Sequence, residues 1–144
     1  CMTGYQGFSL LSVPISGKGD QSGKTLWKRE RGTPYVPSPI LYDGLLYFTQ
    51  SNQAILSCVD AKTGKILIER TRLSGLSNVY ASLVGAGNHV YVVGRYGKTA
   101  VLKRTGKFEL VATNVLEDRF DASPALAGDQ LFLRGHRFLY CLGE

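Results

Sequence analysis

The side chains most able to carry out chemistry are two histidines, His89 and His136, and three cysteines, Cys1, Cys58 and Cys141. The cysteines form no Cys-x-x-Cys pair, and none stands at metal-ligand spacing from a histidine, so the sequence predicts neither a disulfide framework nor a zinc site. A Ser-His-Asp set would need a histidine held by a carboxylate beside a nucleophile, and no such set can be nominated. We therefore expect no enzyme activity and no cofactor.

His136 has the more unusual surroundings of the two histidines. Arg134 and Arg137 flank it, and neighbouring cations should oppose its protonation. An anion-binding site and an ordinary surface turn both account for this cluster. His89 stands at the entry to a predicted strand, where a partly exposed histidine needs no functional explanation.

Composition and charge limit the classes of protein to which the chain can belong. Its 144 residues are 44% hydrophobic and 19% charged, which suits one globular unit with a buried core. Apolar runs such as 45–48 and 90–93 are too short to span a membrane. The formal charge is +6, but the 17 Lys and Arg residues are spread along the chain, which favours a solvated surface over a nucleic-acid interface. The start at Cys1 lacks a signal peptide, and we interpret it as a truncated end rather than a lipidated cysteine.

Three short phrases recur along the chain at intervals of 41 to 44 residues. Because three independent phrases share nearly one period, they indicate a repeat array. The first begins at Ser38, Ser82 and Ser123, the second spans 43–48, 87–92 and 128–133, and the third spans 22–24, 63–65 and 105–107.

Each period contains four short apolar or alternating runs bounded by Gly, Asp, Asn or Pro, which is the pattern of strands joined by tight turns. Four antiparallel strands in a period of this length make one propeller blade, whose sheet buries both faces against its neighbours. We predict an all-β fold, a partial β-propeller of about three and a half four-stranded antiparallel blades. The predicted strands are 7–14 and 24–30, then 35–41, 45–50, 54–60 and 65–71, then 79–85, 89–94, 99–104 and 108–113, and finally 120–127, 130–134 and 138–142. The units are a partial blade at 1–31, blades at 32–73 and 74–115, and a partial blade at 116–144.

The turn between the third and fourth strands is predicted to be a tight β-hairpin turn. Asp60 can accept hydrogen bonds from amides two or three residues on, and Gly64 can take a positive φ. Gly23 and Gly106 are its equivalents, and Trp27 is expected to pack between blades. A calcium loop is not expected, because the alternating carboxylates are absent. Gly97 is placed in a looser loop, so Gly64→Val should destabilise more than Gly97→Val.

Cys58 and Cys141 occupy equivalent third-strand positions two repeats apart. A whole blade should separate them, which is too far for a disulfide. We expect both to be buried, reduced thiols.

The segment 58–68, with the sequence CVDAKTGKILI, resembles the blade signature Ala-x-Asp-x-x-Thr-Gly-x-x-x-Trp of the pyrroloquinoline-quinone-like propeller repeats. Cys58 replaces the alanine and Ile68 the tryptophan, whereas 22–27 keeps a tryptophan without the Asp spacing and 105–110 lacks both. The segments 31–39 and 139–143 also resemble carboxy-terminal blades of bacterial BamB-like or quinoprotein-like propellers. The resemblance therefore covers nearly the whole chain.

The resemblance implies a periplasmic or cell-surface protein of outer-membrane assembly or of unknown role. Quinone dehydrogenases of this fold hold calcium with Asn, Glu and Asp and often carry adjacent cysteines, none of which can be mapped here. Our first interpretation is a non-catalytic scaffold that binds a protein partner. The alternative is the carboxy-terminal fragment of a quinone-dependent dehydrogenase whose catalytic site lies outside this chain.

Strand direction predicts where a partner would bind, because loops after the second and fourth strands emerge on one side of the array. Their aromatic and charged side chains are typical of recognition surfaces. An incomplete ring also leaves open blade faces, so we expect either further blades of a longer parent or self-association. The candidate contact residues are Tyr35, Arg72, Asn78, Tyr80, Arg95, Tyr96, Glu117, Asp118, Arg119, Arg134, His136 and Arg137.

Overall fold

The computed structural model describes residues 8–21 and 23–143, and the regular secondary structure of these residues is entirely β. No helix in these two ranges is long and apolar enough to span a bilayer. The strands are β1 (Leu10–Ser12), β2 (Trp27–Arg29), β3 (Ile40–Tyr42), β4 (Leu45–Thr49), β5 (Ile55–Asp60), β6 (Ile66–Arg72), β7 (Val84–Ala86), β8 (His89–Val93), β9 (Lys98–Lys103), β10 (Leu110–Val115), β11 (Ala125–Ala127), β12 (Gln130–Arg134) and β13 (Leu139–Leu142).

The strands form four antiparallel sheets in which each strand pairs with its neighbour in sequence. Sheet A is β1-β2, sheet B is β3-β4-β5-β6, sheet C is β7-β8-β9-β10, and sheet D is β11-β12-β13. The strand residues are rich in Val, Leu, Ile and Tyr, which fit a pleated surface that is packed on both sides. This all-β architecture is a partial β-propeller, as the repeat predicted.

The core consists of three layers, one between each pair of successive sheets. Alternate residues of one strand face different neighbours: Leu46 and Phe48 pack towards Leu10 of sheet A, whereas Tyr47 packs towards sheet C. Sheets C and D meet in a smaller cluster that includes Val93 and Leu133. Each fully buried large apolar side chain contributes about 1.5–3 kcal/mol to folding, so the layers hold the sheets together.

The recurring serine has a visible role at the start of each unit. The amide of Ser38 donates to Oγ of Ser82 at 3.0 Å, and the amide of Ser82 donates to Oγ of Ser123 at 2.9 Å. Each serine thus bonds to the equivalent serine of the next unit. The serine motif recurs because the same amide-to-hydroxyl hydrogen bond is formed between successive units.

The first strand of each unit is shorter than the sequence predicted. β3, β7 and β11 occupy only the last residues of the predicted strands 35–41, 79–85 and 120–127. The residues ahead of them bond to other loops instead: Pro34 forms an isolated parallel bridge with Ser51, and the amide of Val79 donates to the carbonyl of Asn52 at 2.7 Å. β1 and β2 are likewise shorter than 7–14 and 24–30, and residue 7 lies outside the described ranges.

The turn at 60–65 has the expected hairpin chemistry and also contacts sheet A. Oδ1 of Asp60 accepts hydrogen bonds from the amides of Lys62 and Thr63 at 3.1 and 2.7 Å and a third from the Thr63 hydroxyl. The bond from the Thr63 hydroxyl, followed by those from the amides, holds the pKa of Asp60 below its usual value. Gly64 has a φ of 72°, and a Cβ there would lie 2.6 Å from Cγ of Trp27. The indole N–H of Trp27 donates to the carbonyl of Ala61 at 2.9 Å. Trp27 therefore lies against the next sheet's turn.

The equivalent turn of sheet C contacts sheet B in the same manner. Gly106 has a φ of 68°, and its amide donates to the hydroxyl of Tyr47 at 3.3 Å. Gly23, by contrast, is exposed, and no described atom lies within 4 Å of where its Cβ would be. In both complete repeats, therefore, the glycine of the turn between the third and fourth strands packs on the preceding sheet.

Two expectations about single residues are wrong. Cys58 is fully buried, and burial raises the pKa of its thiol to about 12, but Cys141 is exposed because none of the described sheets packs against its face of sheet D. Gly97 does not lie in a loose loop. Its φ is 90°, and a Cβ there would collide with the carbonyl oxygen of Leu116.

Candidate interaction surface

The loops on one side of sheets B, C and D interlock through backbone hydrogen bonds. The amide of Arg95 donates to the carbonyl of Asn78 at 2.8 Å, and the amide of Phe120 donates to the carbonyl of Arg95 at 2.9 Å. The amide of His136 then donates to the carbonyl of Arg119 at 2.9 Å. Loops after second strands and loops after fourth strands therefore meet on one side, and they form one continuous surface rather than separate flexible segments.

Asp121 is the centre of the polar contacts on this surface. Its Oδ1 lies 2.7 Å from Nε of Arg95, and its Oδ2 lies 3.1 Å from Nε2 of His136 and 3.9 Å from Nε of Arg119. Burial opposes ionisation of Asp121, but the hydrogen bonds from His136 and Arg95 and the attraction of both arginines outweigh it and hold the pKa of this carboxyl below its usual value. The sequence did not identify Asp121 as a site residue.

The surroundings of His136 differ from those expected from its neighbours in sequence. Arg134 and Arg137 suggested a purely cationic environment, whereas Asp121 is in direct contact with the ring. Asp121 comes from a loop 15 residues earlier. Sequence adjacency alone could not show this contact.

Asp118 stabilises the surface from within and is not available as a contact for a partner. Its side chain is only 2% exposed, and it accepts from the amides of Arg119, Arg137 and Phe138 and from the Tyr140 hydroxyl. Although burial raises the pKa of Asp118, the amide bonds from Arg119 and Arg137 outweigh it, and the net shift is downward. The carboxylate pins the 135–138 turn to the loop 116–124.

Aromatic rings support the arginines of this surface. Cζ of Arg95 lies 4.3 Å from the centre of the Tyr80 ring, and Cζ of Arg119 lies 6.0 Å from that of Tyr96. Such cation–π contacts are each worth about 0.5–1 kcal/mol at exposed sites. They hold long side chains in fixed positions, which lowers the entropy lost when a partner binds.

Exposure separates the side chains that a partner can reach from those that support them. The side chains of Arg119, His136 and Arg137 are 42%, 53% and 61% exposed, and Tyr96 is 59% exposed. Arg95, at 22%, is mainly a support. We call Tyr96, Arg119, His136 and Arg137 the basic-aromatic patch.

The remaining candidates take various places. Arg72 and Arg134 are strand ends rather than loop residues, both exposed. Asn78 has a φ of 51° and contributes its carbonyl to Arg95. The carbonyl of exposed Glu117 accepts from Arg137. Tyr35, 42% exposed, lies between β2 and β3, in the segment that joins sheets A and B.

Other features with chemical potential are limited. Within 8–21 and 23–143, no group of three or more His, Cys, Asp or Glu side chains is arranged to hold a metal ion. A cavity of about 110 Å³ lies beside Tyr96 and is lined in part by Leu76, Gly94 and Lys98. A larger groove of about 610 Å³ lies between β2 and β6, and no sequence pattern predicted it.

Comparison with known proteins gives the fold. No protein-family model matches the chain, and no curated protein matches it. The crystal structure of BamB from Moraxella catarrhalis matches with a TM-score of 0.61 and 15% identity, over 85% of this chain and 37% of BamB. The computationally designed proteins Ika8 and Ika4 match with TM-scores of 0.65 and 0.64, both at 14% identity, over 85% and 84% of this chain and 37% and 73% of theirs.

At these identities the matches show a BamB-like β-propeller fold and nothing further. The chain spans little more than a third of the length of BamB and of Ika8.

Proposed function

We propose that this chain is a non-catalytic β-propeller scaffold that binds a protein partner through the basic-aromatic patch. The observation that carries the proposal is the interlocked loop surface on one side of sheets C and D, where arginines are fixed against the rings of Tyr80 and the exposed Tyr96. Tyrosine and arginine are enriched where proteins bind proteins. The excess of cations on the patch fits a partner with an acidic surface.

The parent protein, in this proposal, is a longer bacterial repeat protein of the BamB-like or pyrroloquinoline-quinone-like type, located in the periplasm or at the cell surface and acting in envelope assembly. The similarity to BamB supports a β-propeller scaffold, and this chain covers 37% of BamB, which fits a parent with additional blades. Fold does not establish function, so the role rests on the patch.

A photo-crosslinking experiment tests the patch. Benzoylphenylalanine is placed at Tyr96 or Arg119, and as matched controls at Lys62 or Lys107, which are exposed residues in turns between third and fourth strands. Those turns lie at the opposite ends of the strands from the patch. The expected result, in cells that produce the parent protein, is a discrete crosslinked product from positions 96 and 119 only.

The partner found in this way is then purified and its affinity measured for the wild type and for Arg137→Glu. Charge reversal at this exposed position should weaken binding at least tenfold, about 1.4 kcal/mol or more. Equal crosslinking from the control turns, or no product from positions 96 and 119, would contradict the proposal.

A further inference from the structure

A cationic groove lies between β2 and β6, the edge strands of sheets A and B. It has a volume of about 610 Å³, and none of its residues belongs to the basic-aromatic patch. Four cations and two carboxylates line it, which gives the lining a net formal charge of +2. These residues are Lys28, Arg29, Glu30, Arg31, Glu69 and Arg70.

Arg70 has a backbone conformation that side chains rarely adopt. Its φ is 42°, in the left-handed region. Leu56 pairs with Thr71 and Cys58 pairs with Ile68, so Glu69 and Arg70 together oppose the single residue Ser57 in a β-bulge. The buried hydroxyl of Ser57 accepts from the Arg70 amide at 3.2 Å and fixes the bulge. The bulge turns the Arg70 side chain out of the strand pattern and towards the groove.

Gly32 gives the arginines room to converge. Its φ is 65°, and a Cβ there would lie 3.3 Å from Cδ of Arg70 and 3.5 Å from Nη2 of Arg29. Both arginine side chains therefore cross the same residue, which has no side chain of its own. The aliphatic part of Arg70 and the guanidinium of Arg29, from different sheets, thus meet over Gly32.

Arg29 is held in place from several directions. Its Nε donates to the carbonyl of Arg31 at 2.8 Å, and its Nη2 lies 2.6 Å from Oε1 of Glu69. The Phe48 ring lies 5.9 Å from its Cζ, and its side chain is only 13% exposed. Arg29 is therefore a rigid part of the groove wall, and Glu69 balances its charge.

Arg31 and Arg70 differ from Arg29 in their ion pairing. Nε of Arg70 donates to the neutral amide oxygen of Gln50 at 3.0 Å. Glu30 pairs with Lys28 at 2.7 Å, and neither Arg31 nor Arg70 forms an ion pair with a carboxylate in the described part of the chain. The groove thus combines a strained bulge, a glycine cradle and two arginines that have no carboxylate within ion-pair distance among the described residues.

We propose that this groove binds the carboxylate side chains of an extended, acidic protein segment, with Arg31 and Arg70 as ligands and Arg29 as a positioning residue. The guanidinium fork matches a carboxylate in two-point geometry. The surplus of two charges fits one or two carboxylates of such a segment, and its other side chains can remain in solvent. The two edge strands lie alongside the groove, as in sites that take extended peptides. This inference does not depend on the function proposed for the basic-aromatic patch.

The test uses a fluorescein-labelled hexaglutamate peptide as the probe, with hexaglutamine as its uncharged counterpart, and follows anisotropy. The informative variant is Arg70→Asn, because asparagine accepts a positive φ and the bulge should persist. Loss of two charge-assisted hydrogen bonds should weaken hexaglutamate binding about tenfold or more, while the melting temperature stays the same or rises. Lys65→Asn removes the same charge from an exposed turn and should change affinity less than about twofold.

Each other outcome overturns the proposal. Equal weakening by Lys65→Asn would mean unspecific attraction to a basic chain, and unchanged affinity in a folded Arg70→Asn would exclude Arg70 as a ligand. Stronger competition by inorganic phosphate or by a short DNA duplex than by unlabelled hexaglutamate would exclude a carboxylate site. If Arg119→Ser with Arg137→Ser abolishes binding while Arg70→Asn does not, the probe binds the basic-aromatic patch, and the groove proposal fails while that of the patch stands.

Discussion

Glycines with nearly the same backbone angle differ in what a side chain would meet. Gly44, Gly64 and Gly97 have φ values of 75°, 72° and 90°. No described atom lies within 4 Å of where a Cβ of residue 44 would be. A Cβ at position 64 would meet the ring of Trp27, which can move, and a Cβ at position 97 would meet the backbone of Leu116. Backbone atoms can shift less than a side chain can. Substitutions at the three positions therefore distinguish the cost of a strained φ from the cost of a steric clash.

We therefore expect alanine at these positions to destabilise the fold in the order Gly97, Gly64, Gly44. Gly44→Ala should cost about 1 kcal/mol, the strain of a left-handed side chain alone. Gly97→Ala should cost at least about 2 kcal/mol more, since the loop 116–118 must shift. Urea unfolding measures the three values. A cost at Gly97 no larger than at Gly44 would contradict the contact with Leu116.

The cysteines show what a repeat predicts at a single residue and what it does not. Cys58 pairs with Tyr47, and Cys141 pairs with Phe132, so the two thiols occupy the same place in their sheets. The period predicted this equivalence. The exposure of each thiol, however, depends on whether another sheet packs on that face, and the repeat pattern within one sheet does not show which sheet lies beside it. For this reason Cys58 is buried and Cys141 is exposed.

At the scale of elements, the carboxylates of Asp118, which is buried, and Asp121, which is partly exposed, tie the loops of sheets C and D together. The folded-state pKa values of Asp118 and Asp121 are lowered, so each carboxylate stabilises the fold at pH values above about 3.9, the ordinary pKa of an unfolded aspartate. This contribution is lost as the pH falls through the lower folded-state pKa values. Stability should therefore fall steeply below pH ~4.

Asp118→Asn tests this linkage. The variant should melt below the wild type at pH 7, because an amide NH₂ cannot accept hydrogen bonds from the amides of Arg137 and Phe138. Its melting temperature should also depend less on pH between about 4 and 2. Glu117→Gln, an exposed neighbour, is the control and should follow the wild type. Identical acid profiles for Asp118→Asn and the wild type would refute the role of this carboxylate.

The elements themselves were predictable because strand and turn residues alternate locally. β4, β5, β8 and β12 lie within a residue or so of their predicted bounds. The first strands were predicted too long: 35–39 has the composition of a strand, yet the amide of Ser38 donates to Ser82 in a loop instead of pairing with a strand. The groove at 28–31 and 69–70 could not be predicted. Its arginines come from two repeats, and the bulge at Arg70 leaves no trace in the hydrophobic pattern.

For the whole molecule, we expect no binding of pyrroloquinoline quinone, because the calcium ligands and adjacent cysteines of quinone dehydrogenases cannot be mapped onto this sequence. Titration of the purified chain with the quinone and calcium, followed by absorbance and calorimetry, checks this. Saturable binding in the micromolar range would favour a fragment of a dehydrogenase instead.

Sheet D has an uncovered face whose counterparts in sheets B and C are buried. Tyr47 and Cys58 of sheet B are fully buried by sheet C, whereas Leu139 and Cys141 of sheet D are exposed. Leu139 is 70% exposed, and its cross-strand partner is Arg134. This face thus carries apolar side chains like those buried between the other sheets, but no described sheet packs on it.

We expect the isolated 144-residue chain to self-associate through this face, with the uncovered face of sheet D packed on a second copy in place of a further sheet. Light scattering should give a mass above 15.7 kDa that rises with concentration. Leu139→Glu should shift the equilibrium towards monomer, because a carboxylate cannot be buried there without a partner. Ile15→Glu, at a position that is 98% exposed, is the matched control and should leave association unchanged. In a Cys1→Ser background, maleimide labelling of Cys141 should slow as the chain associates, while Cys58 stays unlabelled until unfolding. A stable monomer at all concentrations, with Cys141 labelled at one constant rate, would show that this face does not drive association.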